Sequence, residues 1–253
     1  MFGKSSNPAL GKKVFEKSLA DKTTSTMTVQ GTANKTFLLT LLVILGATYT
    51  WKLFFSEPTI ELAMSRVSPW MLIGGIAGFV ISLIIIFVKK LAPVLAPVYA
   101  IIEGLFLGSL SGFFEAMYPG IVIKAVALTL TTLFSLLFFY KTGIIKVTQK
   151  FRMGVFAATG GIALMYLFSW IAGMFGANLS FLYDSSGLSI GISLFVVVIA
   201  ALNLVLDFDF IATGEKMGAP KYMEWYSAFS LMITLIWLYI EFLKLIAKLS
   251  NRN

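Results

Sequence analysis

The chain predicts an all-α integral membrane protein, a bundle of seven transmembrane helices, on three observations. Hydrophobic residues make up 58% of its 253 residues and charged ones 13%, with a mean hydropathy of +0.89, a balance soluble domains do not have. Apolar stretches of roughly 20 residues, enough to cross a hydrocarbon core of about 30 Å, can be found seven times. Bases outnumber acids, 20 to 12, and in a membrane chain such an excess marks cytoplasmic loops rather than a nucleic-acid surface. The lipid bilayer is the expected partner, and nucleic acid is not.

Residues 1–35 are polar and basic, without the apolar core or cleavage site of a signal peptide. They read as a cytoplasmic tail ahead of a transmembrane domain at 36–250. The first span runs from Thr36 to Phe55, where Lys52 is close enough to the end to snorkel. The second, Val67 to Val88, carries no charge, and the third is expected to start after Pro93 and Pro97 and reach Tyr118. Pro119-Gly120 then turns the chain into a fourth span ending near Tyr140, a helical hairpin. The fifth lies in the uncharged run from Met153 to Tyr183 and ends around Phe175; the sixth covers Gly187 to about Ile211, and the seventh Met223 to about Leu245. Gly104, Gly108 and Gly112, and likewise Gly74 and Gly78, recur every four residues, the spacing of seams where helix backbones approach closely.

Charge sets the expected orientation. A cytoplasmic N-terminus puts Lys4, Lys12, Lys13, Lys17, Lys22, Lys35, Lys89, Lys90, Lys141, Lys146, Lys150, Arg152, Lys216 and Lys221 inside. Of the bases left over, Lys244, Lys248 and Arg252 sit at the C-terminus. That end is therefore outside, or the last segment is re-entrant; seven full spans is the reading adopted.

Cys and His are both absent, which removes disulfides, thiolate and imidazole metal sites, Ser-His or Cys nucleophiles and the histidine pH switch. No metal site and no cofactor is expected. A retinal Schiff base would need a lysine deep in the last span, but no charge lies between Glu224 and Glu241. The Gly-x-Gly-Asp motif of intramembrane aspartyl proteases and nucleotide-binding loops are missing too. The chain is not expected to be an enzyme.

Acids inside spans are the informative residues, because a carboxylate in hydrocarbon normally faces a partner or a water-filled cavity. Glu103 lies about halfway along the third span at 1.5 Å per residue. Asp207 and Asp209 close the sixth, with Asn203 one turn before Asp207 on the same face. The two aspartates point apart unless the helix unwinds. Asp207 and Glu103 are expected to line an internal cavity, and Asp209 to reach cytoplasmic water. Glu115, Glu224 and Glu241 are placed near the interfaces.

Ser6-Asn7-Pro8, Met27-Thr28-Val29-Gln30-Gly31-Thr32, Glu103-Gly104-Leu105-Phe106-Leu107-Gly108, Tyr118-Pro119-Gly120-Ile121-Val122, Leu206-Asp207-Phe208-Asp209-Phe210-Ile211 and Ala219-Pro220-Lys221-Tyr222-Met223-Glu224-Trp225-Tyr226 together resemble the bacterial branch of the transmembrane Bax inhibitor motif family over nearly the whole chain. The resemblance implies a seven-helix bundle with its C-terminal helix near the centre, a cytoplasmic N-terminus and a pH-sensitive leak for calcium or other cations. It also implies an aspartate pair, one late in span six and one in span seven. Asp207, followed by Ile211, matches the first; the second falls at about Leu231 or Met232, both apolar. A replacement acid is offered by Asp209, by Glu224 across the short loop, or by Glu103. Relatives are also linked to membrane-bound proteases as partners.

The expected function is a pH-sensitive calcium or cation leak across the bacterial inner membrane, gated by protonation of Asp207, Asp209, Glu103 and Glu224 with Asn203 beside them. Calcium or another cation, together with protons, would be the species handled. The alternatives are a non-conducting modulator that binds a membrane protease or stress complex, and a proton-coupled cation antiporter.

Overall fold

A computed structural model describes residues 25–176 and 180–251. The expected tail up to residue 24, with its Ser6-Asn7-Pro8 motif, lies outside the described residues, as does Arg252. Seven long helices follow in order: α1 (Val29–Phe55), α2 (Ile60–Phe87), α3 (Ala92–Met117), α4 (Ile121–Lys141), α5 (Gln149–Met174), α6 (Gly187–Lys216) and α7 (Met223–Ser250), with short 3-10 turns at Lys89–Leu91 and Ser180–Leu182. All seven are long and apolar enough to cross a membrane. The described residues contain no strand beyond one isolated bridge, Thr26 to Pro220. The protein is therefore a seven-helix transmembrane bundle, as its sequence predicts. Phe37, Leu45, Leu72, Phe79, Phe134, Phe168 and Trp170 all point outward with more than half their surface exposed, a coat that suits lipid and not water.

The helices exceed the expected spans, and local chemistry explains where they stop. α1 starts at Val29 rather than at Thr36 because Thr28 caps it, its hydroxyl accepting from the Gly31 amide at 2.9 Å. α3 starts at Ala92, ahead of both prolines. Pro93 falls in the first turn, whose amides have no partner inside the helix, and Pro97 within the helix is tolerated as prolines often are in membrane spans. Between α3 and α4, Gly120 adopts φ +81°, a conformation that favours glycine. There the Glu115 carboxylate accepts from the amides of Gly120 (2.6 Å) and Val122 (3.1 Å), satisfying donors at the start of α4. Glu115, expected at the interface, is thus a cap. α6 runs on to Lys216, so Asp207 and Asp209 lie inside the helix and do not close it.

The chain divides into two compact units. Among the described residues, one comprises 25–122 and Phe210–Ile233; the other comprises Ile123–Asp209 and 234–251. In the first, α1 and α3 pack through their glycines. A Cβ at Gly104 would stand 2.3 Å from the Val43 carbonyl, and one at Gly108 2.1 Å from that of Ala47, so backbone meets backbone along the predicted seam. Thr50 fastens it, its hydroxyl donating to the Leu105 carbonyl at 3.0 Å. Phe54, Ala63 and Val67 close one end of this unit with Phe113 and Ala116. In the second, Ile162, Val196 and Ile199 pack with Ala158, Tyr166 and Trp237. Of the seven helices, α7 has the largest share of buried residues.

Candidate functional site

The second unit holds Asp207, Asp209 and Asn203. Asp207 is 3% exposed, which for a carboxylate on a membrane helix means that protein, not lipid, surrounds it. α6 is continuous through both aspartates, so they diverge as residues i and i+2 must. Asp209, which the sequence places at a helix end reaching water, lies within the helix, stays partly exposed and forms an ion pair with Arg152 from the first turn of α5, and the Tyr140 hydroxyl donates to it as well. One turn before Asp207, the Asn203 amide donates one N–H to the Thr159 hydroxyl at 2.9 Å and one to the Ile199 carbonyl at 2.8 Å. Both its donors are then spent. Asn203 offers the face it shares with Asp207 only a carbonyl oxygen.

The first unit holds Glu103 and Glu224. Glu103 is half-buried and is hydrogen-bonded by the hydroxyl of Tyr99, one turn earlier on α3. Gly78 of α2 lies close against its carboxylate, where a Cβ would come within 2.6 Å of Oε2. Tyr99 is itself buried and set edge-on to Phe229, with ring centroids 5.0 Å apart. Mid-span placement thus finds Glu103 a phenolic partner on its own helix.

Glu224, which the sequence places near an interface, is fully enclosed by protein. Its carboxylate pairs with Lys35 and with Lys221 (2.8 Å) and accepts from the Thr28 amide (2.9 Å) and hydroxyl (3.0 Å). A Cβ on Gly31 would stand 2.1 Å from Oε1, so the first turn of α1 rests directly on the carboxylate. Glu215, near the end of α6, accepts from the Val29 amide at 2.8 Å. The segment before α1 is tied to the same loop, with the Met27 amide donating to the Ala219 carbonyl at 2.7 Å and that of Lys221 to Ser25 at 3.2 Å. Glu215 and Glu224 therefore neutralise the orphan amides at the α1 N-terminus.

Three further groups were not among the sequence candidates. Glu241, also placed at an interface by its position, is 1% exposed, pairs with Lys244 at 3.0 Å and accepts from the Tyr166 hydroxyl at 3.3 Å. Arg152 is the counter-ion of Asp209. Lys248 is buried. A sequence signal existed for two of them: Ser227, Thr234, Glu241 and Lys248 recur every seven residues, which puts them along one helical face.

The helices and these enclosed ion pairs define a polytopic α-helical membrane protein whose intramembrane acids are met by protein groups. The chain belongs to the family described as Bax inhibitor 1 like, whose model matches residues 7–251, nearly its whole length. No curated protein and no solved structure matches it.

Proposed function

We propose that this protein is a pH-sensitive cation leak of the bacterial inner membrane, calcium being the first ion to test, with its N-terminus cytoplasmic and no catalytic step of its own. One observation carries the reading: Asp207, at the position where family resemblance puts the first aspartate of a pair, is a carboxylate enclosed by protein inside a membrane helix. An intramembrane carboxylate of this kind is the group through which a chain without histidine can exchange a proton. Protonation removes the charge that attracts a cation, so flux follows the protonation of Asp207. Asp209, held by Arg152 and Tyr140, acts as a structural ion pair beside it.

The experiment is flux into liposomes loaded with a calcium dye, read across pH. Wild type should leak with a pH-dependent rate, and Asp207→Asn should flatten that dependence far more than Asp209→Asn. Equal effects of the two substitutions would remove Asp207 as the sensor. Folded protein that conducts nothing at any pH would instead leave a modulator that binds a membrane protease.

A further inference from the structure

The last helix carries a buried cation that forms no salt bridge with the acids above. On the face that Ser227, Thr234, Glu241 and Lys248 share, the charge of Glu241 is taken up by Lys244. Lys248 is served differently. Its ammonium donates to the Leu182 carbonyl at 2.6 Å, to the Ser193 hydroxyl at 2.8 Å and to the Ser189 carbonyl at 3.4 Å. Those three acceptors match the three donors of an ammonium, and all are neutral; the carboxylates of Glu241 and Asp184 act on it only through space.

Leu182 belongs to the 3-10 turn ahead of α6, and Ser189 and Ser193 to the first two turns of α6 itself. All four residues lie in one unit and all are buried, with Ser189 fully so. An enclosed charge usually needs a carboxylate. Carbonyl and hydroxyl oxygens without a carboxylate are instead the groups that replace the water shell of a monovalent cation, whereas sites for divalent ions add carboxylates to such oxygens. The flexible four-carbon stem of lysine can deliver a compact charge into such a set of oxygens.

We propose that the Leu182 and Ser189 carbonyls and the Ser193 hydroxyl form a monovalent-cation site of the ammonium or potassium class, filled in the native chain by the tethered ammonium of Lys248. Resting on the leak reading, a consequence follows: the tethered charge plugs cation entry at the α7 C-terminal end.

Lys248→Ala removes the part of the side chain that propylammonium replaces, and tetramethylammonium supplies the charge without N–H donors. In nanodiscs, propylammonium should restore the lowered melting midpoint of Lys248→Ala, tetramethylammonium should not, and neither should move wild type. No restoration, equal restoration by both cations, or failure to recover folded variant even when propylammonium is present throughout purification would each overturn the site. In liposomes, potassium flux through Lys248→Ala should rise about tenfold, equivalent to about 1.4 kcal/mol, and propylammonium should suppress it. A variant that is restored by propylammonium but conducts no faster than a leaking wild type would overturn the plug. Restoration with no flux in wild type or variant would support the site and count against the leak reading alone.

Discussion

Two lysines and both the amide and the hydroxyl of Thr28 converge on the Glu224 carboxylate. Replacing it by Gln keeps the shape but leaves Lys35, which is 18% exposed, beside a neutral group. Breaking a buried pair from one side costs on the order of 3 kcal/mol, so Glu224→Gln should lower the denaturation midpoint clearly. Lys221 is half-exposed, and Lys221→Ala should cost less than about 1 kcal/mol. Comparable losses from both substitutions would refute the asymmetry. At the start of α6, the Ser186 hydroxyl and amide both donate to Asp184 and hold its carboxyl below the ordinary carboxylate range. A depressed folded-state value means that its contribution is present above the unfolded pKa and lost as pH falls through the folded one. Protection of the Ser186 and Ser189 amides, taken relative to their intrinsic exchange rates at each pH, should therefore fall under acid, and Asp184→Asn should abolish that fall.

At the scale of elements, the α1–α3 seam makes a directional prediction. Gly108→Ala places a methyl 2.1 Å from the Ala47 carbonyl, and backbone cannot yield cheaply, so a loss of about 1–3 kcal/mol is expected. Gly75→Ala on α2 meets nothing within 4 Å and should stay within about 0.5 kcal/mol of wild type. Thermal unfolding of the two purified variants checks this, and equal midpoints would show that the seam is not held by close approach. The glycine spacing announced this seam because small residues four apart align on one face. Element ends were less legible. Thr28, Pro93 and the run past Asp209 extend α1, α3 and α6 beyond their apolar cores. Helices continue into the headgroups as long as caps satisfy their ends, which a hydropathy count does not register.

For the whole molecule, seven helices that each cross the bilayer put the two chain ends on opposite sides. Native cysteine is absent, so Ser5→Cys and Asn251→Cys report cleanly: an impermeant maleimide should label position 251 from outside and position 5 only after the membrane is opened. Labelling of both from one side would mean that one helix does not span.

The sequence by itself determined the membrane class, the number of helices, their order and the family, because apolar length and short motifs are local properties that neighbours do not alter. It also located Asp207 and the Asn203 face, since the helical period ties residues four apart. Only the tertiary structure decided which acids are enclosed and by what. Glu224 and Glu241 read as interfacial from their positions near helix ends, yet Lys35 and Thr28 cover one, and Tyr166 and Lys244 the other. Lys248 read as a terminal base and is buried against Leu182, Ser189 and Ser193. Depth along one helix is a matter of counting residues, whereas solvation depends on what other helices bring to the same height, and that is settled by packing.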